Sequence, residues 1–302
     1  MGLSIKTSKK EAGRVTSFAG VELDTGNMVI RLPAKKLQKA QSLLQDALAK
    51  KSLSLLERQK ITGYLNFVST LTPLSCTFLR QLYNIELYFP VQSRHQRRRL
   101  SSKGQKDLAW WDNVLKLAPQ KSIKVQIRET ISTWTDAAST KGLGAFFTSI
   151  EQPIPQPNSA FCLALPRHLV RKREHINTQE MRAVEQALLY WGQRWKGKRV
   201  TVHTDNRTIA YGLAHGTTCR ASMEVLRGCL LPATEYDLDL KAEWIPTNAN
   251  ALADVLSCFD YEKITDIALE LTQGACDLQR HGWQTHSNWD SQPSRHTISE
   301  EV

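Results

Sequence analysis

The rhythm of hydrophobic and polar positions changes several times along this chain. Alternating residues at 15–23 and 28–32 flank Asp24-Thr25-Gly26-Asn27, which predicts a β-hairpin. From 34 to 50, Leu37, Ala40, Leu44, Ala47 and Leu48 recur at helical spacing. Ser54 and Glu57 stand at capping-box spacing and open a second helix bearing Ile61, Leu65 and Val68, which Pro73 stops. A third short helical piece is expected at 76–83.

A different order begins near Lys121. Strand patterns at 130–136, 144–149 and 160–165 are separated by turns or by the Pro-rich Gln152-Pro153-Ile154-Pro155-Gln156-Pro157. A helix is predicted over 177–195, with Met181, Val184, Leu188, Trp191 and Trp195 on one face. A strand at 198–204, helices at 206–214 and 219–231, and a strand at 238–245 follow, the last with Leu238, Leu240, Ala242 and Trp244 alternating. The order βββαβααβα implies an α/β domain, a mixed five-stranded sheet with flanking helices, preceded by a small, mainly helical domain with a hairpin. The expected boundaries are a disordered 1–13, a first domain at 14–92, a basic linker at 93–120, the sheet domain at 121–260 and a largely disordered tail at 261–302.

Charge sharpens this division. The 302 residues carry a formal +11, yet between Arg31 and Arg128 there are 19 Lys and Arg against 5 acids. A basic half beside a balanced half suits a polyanion-binding arm joined to a second module, although Lys and Arg also simply solvate helices. Ser93-Arg94-His95-Gln96-Arg97-Arg98-Arg99 is the densest run, a candidate for phosphate contact or nuclear import, or else a solvated linker. Trp110-Trp111 just beyond offers stacking surface for bases, or a core ring beside one at a domain seam.

No stretch of 18 apolar residues occurs, and the first residues lack the apolar run of a signal peptide, so no membrane association is expected. The six cysteines show no Cys-x-x-Cys pair and read as reduced, buried thiols of an intracellular protein, nuclear or cytoplasmic. Cys276, His281 and His286 match no standard zinc spacing.

Four acids stand out by context. Asp136 lies in a predicted strand, where Asp is depleted, and Asp205 ends another. Glu180 falls in the first turn of the long helix and Asp254 opens the last one. Each has an ordinary explanation beside it: Glu180 completing a capping box with Asn177, Asp205 capping the helix that starts at Asn206, Asp254 a plain helix acid. Strands one and four of such a sheet are neighbours, however, so Asp136 and Asp205 should converge. Clustered carboxylates repel unless cations neutralise them, and oxygen-only ligands favour Mg²⁺ or Mn²⁺.

Thr135-Asp136-Ala137-Ala138, Asn177-Thr178-Gln179-Glu180-Met181-Arg182-Ala183, His203-Thr204-Asp205-Asn206 and Asn250-Ala251-Leu252-Ala253-Asp254-Val255-Leu256-Ser257 resemble, in this order, the motifs of retroelement ribonuclease H domains. Phe18-Ala19-Gly20-Val21-Glu22-Leu23-Asp24 and Ile61-Thr62-Gly63-Tyr64-Leu65-Asn66-Phe67 are similar to segments that follow the polymerase palm in the same polyproteins. Over about residues 14–275 the chain resembles the reverse transcriptase/ribonuclease H polyprotein of the tyrosine-recombinase (DIRS-like) retrotransposons. The resemblance implies a thumb- or connection-like region at 14–92 and a ribonuclease H-like domain at 121–260. It carries over Asp136, Glu180, Asp205 and Asp254 as catalytic ligands of two Mg²⁺ or Mn²⁺ ions. It implies hydrolysis of the RNA strand of an RNA/DNA hybrid, with the rest of a reverse transcriptase polyprotein as partner. The expected nucleic-acid contacts are Arg94, Arg97, Arg98 and Arg99 of the basic run, by their charge, together with Asn177 and Asn206 beside the acids.

The pattern also departs from that family. No Tyr-x-Asp-Asp occurs and no palm precedes residue 14, so the chain is not expected to polymerise DNA. The loop Pro246-Thr247-Asn248-Ala249 lacks the histidine that many ribonucleases H carry before the last acid, and Cys258 stands where related elements often have arginine. Two other readings keep the fold: an inactive or domesticated hybrid-binding scaffold, and a nuclease for a different substrate, as in integrases and junction resolvases.

Overall fold

The structure is a computed structural model that describes residues 13–86, 96–124, 126–171, 173–219, 221–271 and 285–286. The expected disorder of 1–12, Arg94, Cys276, His281 and most of the tail lie outside the described residues. The chain forms two compact units, Met1–Ile127 and Arg128–Val302.

In the first unit the run at 15–23 is not one strand. It breaks at Ala19 and Gly20, both at positive φ, into β1 (Val15–Phe18) and β2 (Val21–Asp24), which pair antiparallel. The hairpin expected around Asp24 then leads to β3 (Val29–Arg31). Its turn is held by Asp24, whose carboxylate accepts from the main-chain N–H and the side-chain amide of Asn27, both at 2.9 Å. Helix α1 (Ala34–Ala49) buries Ala40, Leu44 and Ala47. A short strand β4 (Ser52–Ser54) leads into α2 (Leu55–Val68), whose start is the expected capping box: Ser54 Oγ accepts from the Glu57 N–H and Glu57 Oε2 from the Ser54 N–H. Helix α3 (Arg80–Glu86) follows.

The span expected as a basic linker, 93–120, differs where it is described. Arg97–Arg99 forms β5, antiparallel to β4, and Ser102–Lys116 forms helix α4. The reason is burial. Arg58 of α2, itself fully buried, donates to the carbonyl of Arg98 at 2.6 Å and weakly to that of Arg99, and α4 buries Leu108, Trp111 and Leu115. Strand β6 (Gln120–Ser122) then pairs with β3, closing a four-stranded sheet in the order β1-β2-β3-β6. Trp111 is core, and Trp110 stacks on Phe78 with 3.9 Å between ring centroids, so that face is taken.

The second unit is built on β7 (Thr130–Ala138), β8 (Gly142–Ser149) and β9 (Ala160–Ala164), an antiparallel meander. A short α5 (Arg167–Arg171) and the long α6 (Ile176–Trp191) cross to β10 (Arg199–Thr204), which lies parallel to β7. Helices α7 (Arg207–His215) and α8 (Met223–Glu235) lead to β11 (Asp239–Trp244), parallel to β10, and α9 (Ala251–Cys258) and α10 (Tyr261–Leu271) follow. The expected mixed sheet is present in the order β11-β10-β7-β8-β9, and a two-residue β12 (Thr285–His286) adds a sixth strand beside β9 within the span expected as tail.

Alternation along β7 separates two faces. Ile131, Thr133, Thr135 and Ala137 are buried, and on the matching face of β8 and β9 Phe147 and Phe161 pack on Trp191 at the end of α6. Met181, Val184, Leu188, Trp191 and Trp195 are all buried, as their spacing predicts, although Trp195 lies in the turn beyond the helix. The opposite face carries Trp134 and Phe146, which stack on each other and join Leu252, Leu256 and Ile264 of α9 and α10 in a second core. Asp136, two residues beyond Trp134, belongs to this second face. Trp244 departs from its expected inward alternation: Leu240 is buried, but the indole at the strand's end is 45% exposed.

Candidate metal site

The register of β7 and β10 explains why two distant acids meet. Trp134 is paired with His203, and two residues further along each chain stand Asp136 and Asp205. Beneath them Trp134 stacks between Phe146 and His203, a row of rings across three strands that sets a rigid floor. Asp205 lies just past the end of β10. Its N-terminal capping role is taken by the next residue, since Asn206 Oδ1 accepts from the Thr208 N–H at the start of α7.

Glu180 comes from the first turns of α6, where its position is fixed by two ties. Gln179 Nε2 donates to the carbonyl of Ser139, in the β7–β8 turn, and to that of Glu174. Arg182 forms a two-pronged ion pair with Glu174, at 2.8 and 3.0 Å. The helix is capped by His175, whose Nδ1 accepts from Asn177 N–H, so Glu180 is not part of a capping box. It is free for another role.

Asp136, Glu180 and Asp205 each offer an oxygen within 4.8 Å of the others'. Glu180 is buried, and among the described residues its Oε2 has no hydrogen-bond partner. Burial pushes its carboxyl up to about 7 against the pull of a hydrogen bond from Asn206, and the Asp136 and Asp205 charges add to the rise. Burial likewise raises Asp136, opposed by a hydrogen bond from Ser257 and reinforced by the charges of Asp205 and Asp254. A partnerless buried oxygen in a cluster of carboxylates fits a hard divalent cation.

The remaining sequence candidates fall in different places. Asp254 is close enough to raise Asp136, but it sits exposed in the first turn of α9 and is not among the three convergent acids. Asn206 Nδ2 donates to Asn177 Oδ1 at 2.9 Å, joining both asparagines at the edge of the cluster. In the first unit, Arg97 is engaged by the Ser52 carbonyl at 2.6 Å and by Glu57 at 3.2 Å, Arg98 is half-buried, and Arg99 is exposed.

Three site residues escape sequence reasoning as functional groups. Asn250 Nδ2 donates to the Thr135 carbonyl beside Asp136, Ser257 Oγ donates to Asp136, and the Trp244 indole N–H donates to the Asp205 carbonyl. The first two lie inside a motif whose acid drew the attention. Trp244 carries only the signal of a large aromatic next to the end of a strand.

Sheet order, crossover helix and acidic cluster together define a ribonuclease H-like α/β fold. The sequence matches no protein-family model and no curated protein. Among solved structures it is similar to the N-terminal RNase H domain of Rv2228c from Mycobacterium tuberculosis, with 15% identity over 43% of this chain and 95% of that one and a TM-score of 0.35. RNase H1 from the halophilic archaeon Halobacterium salinarum gives 15% identity over 43% of this chain and 98% of that one, with a TM-score of 0.35. The foamy viral protease-reverse transcriptase in complex with RNA/DNA hybrid gives 12% identity over 76% of this chain and 29% of that one, with a TM-score of 0.29. Among the described residues no helix is long and apolar enough to cross a membrane.

Proposed function

We propose that this chain is a metal-dependent ribonuclease H that cuts the RNA strand of RNA/DNA hybrids as part of a retrotransposon reverse transcriptase. The observation that carries the proposal is the convergence of Asp136, Glu180 and Asp205 within 4.8 Å around a buried Glu180 oxygen that has no hydrogen-bond partner among the described residues. Asp136, Glu180 and Asp205 would hold Mg²⁺ or Mn²⁺, with Asp254 at the rim as a further ligand for a second ion. Bound there, such ions supply an activated water and stabilise the charge on a phosphodiester's leaving oxygen.

The chain's own contribution is placement. The aromatic floor and the Gln179 and Arg182 ties hold the acids before substrate arrives, and the linked Asn177 and Asn206 present amide groups at the cluster's edge. A hybrid offers a wide minor groove with 2′-hydroxyls on one strand, which such polar groups can read. The basic first unit supplies phosphate contacts and most of the salt-dependent affinity in this proposal.

The test is cleavage of an end-labelled RNA/DNA hybrid in Mg²⁺ or Mn²⁺ by the wild type and by Asp136→Asn. Metal-dependent cuts in RNA that vanish in the variant support the assignment. Tight hybrid binding with no cuts from either protein would sink it in favour of a hybrid-binding scaffold, and preferential cutting of duplex DNA would redirect it to another nuclease class.

A further inference from the structure

Asp136 is paired across the β7–β8 ladder with Gly144. A Cβ built on Gly144 would stand 2.4 Å from the main-chain nitrogen of Ser257, 2.5 Å from the carbonyl oxygen of Ala253 and 2.8 Å from the carbonyl carbon of Leu256. The backbone of α9 therefore rests directly on the strand, at a residue whose lack of a side chain leaves room for it. That approach delivers the fully buried Ser257, whose Oγ lies 2.8 Å from Asp136 Oδ2.

A serine in a helix commonly bonds back to a carbonyl of its own preceding turn, and Ser257 Oγ is indeed 2.8 Å from the Asp254 carbonyl. A hydroxyl has one proton to give, however, and an ionised carboxylate is the stronger acceptor. Ser257 thus stands between the acid of β7 and the acid of its own helix, and touches both residues.

We propose that Ser257 is a positioning residue of the metal site: its hydroxyl locks the Asp136 carboxylate in the orientation that meets Glu180 and Asp205, and Gly144 exists to let it reach. This rests on the metal-nuclease proposal above. Ser257 contacts neither ion nor substrate and acts through Asp136.

The test is Mn²⁺ uptake by the full chain, read as the loss of the free-ion electron paramagnetic resonance signal, with melting in EDTA as a control for folding. Four proteins are compared: wild type, Asp136→Asn, Ser257→Ala and the double variant. Ser257→Ala is expected to weaken Mn²⁺ binding roughly tenfold, the usual scale for a residue that orients a ligand. Ser257→Cys, slightly larger and a poor donor, carries the same expectation should the alanine variant not fold. In the double variant the serine substitution should add nothing to the loss from Asp136→Asn, because the carboxylate it orients is gone. Wild-type affinity in a folded Ser257→Ala or Ser257→Cys, or a fully additive loss in the double variant, would overturn the positioning role while leaving the metal site standing. A wild type that takes up no Mn²⁺ would overturn both.

Discussion

The indole N–H of Trp244 donates to the main-chain carbonyl of Asp205 at 2.9 Å, so an exposed ring at the end of β11 fixes the peptide that carries an acid at the end of β10. Arg207, two residues past Asp205, lies over the same ring at 4.7 Å from its centroid. Trp244→Phe keeps an aromatic face for Arg207 and removes the donor. It should cost about 1 kcal/mol of stability or less, since the bond is solvent-exposed, while lowering metal-dependent cleavage severalfold. Cleavage at the wild-type rate would show that the Asp205 peptide needs no such anchor.

Glu180 makes stability depend on pH in a defined direction. Its carboxyl rises from an ordinary 4.5 to about 7 in the folded, metal-free chain. A folded-state pKa above the unfolded one means that the native state binds the extra proton, so stability is full below about pH 4.5 and is lost as pH climbs through 7. The swing is on the order of 3 kcal/mol. Chemical denaturation in EDTA from pH 5.5 to 8 should show the decline, Glu180→Gln should flatten it, and Mg²⁺ or Mn²⁺ should restore wild-type stability most at the alkaline end. A variant with an undiminished slope would place the titrating group elsewhere.

Under the proposed function, the three arginines of β5 should not contribute equally to hybrid binding. Arg97 is held by Ser52 and Glu57, whereas Arg99 is exposed. Each lost phosphate contact lowers the slope of log affinity against log salt by about one. Arg99→Ala should produce that change and Arg97→Ala a smaller one in fluorescence-anisotropy titrations. Equal slopes for Arg99→Ala and wild type would exclude Arg99 from the phosphate surface.

Arg58 is the structural counterpart of that surface. It is fully buried, and its guanidinium holds the carbonyls of Arg98 and Arg99 against α2. Arg58→Ala should destabilise the first unit by roughly 3 kcal/mol, because it strands buried polar groups. Urea unfolding followed by tryptophan fluorescence would measure it, and a loss under about 1 kcal/mol would mean that water replaces the guanidinium.

Much of the second unit is legible in the sequence because its elements are long and periodic. The β7–β8–β9 meander, the buried stripe of α6 and the convergence of Asp136 with Asp205 all follow from spacing. The ties that aim the acids do not. Gln179 to Ser139, Asn250 to Thr135 and Ser257 to Asp136 span 40, 115 and 121 residues, and nothing local distinguishes such an amide or hydroxyl from a surface one. The 93–120 span misled for a related reason: three consecutive arginines suggest solvent, but a buried Arg58 40 residues upstream recruits their backbone into a strand.

The span of the Ser257–Asp136 contact also bears on when the site comes into being. Asp136 lies in the first strand of the second unit, and its clamp arrives only with α9, after every other strand of the five-stranded sheet is in place. A contact between residues so distant in sequence costs more loop-closure entropy than a local one, which slows its formation. A growing or cleaved chain that stops short of α9 would hold three of the acids with the first of them unclamped. The orientation of Asp136 is in this way deferred until the unit is nearly whole, and under the proposed function a partly made chain would lack a finished metal site.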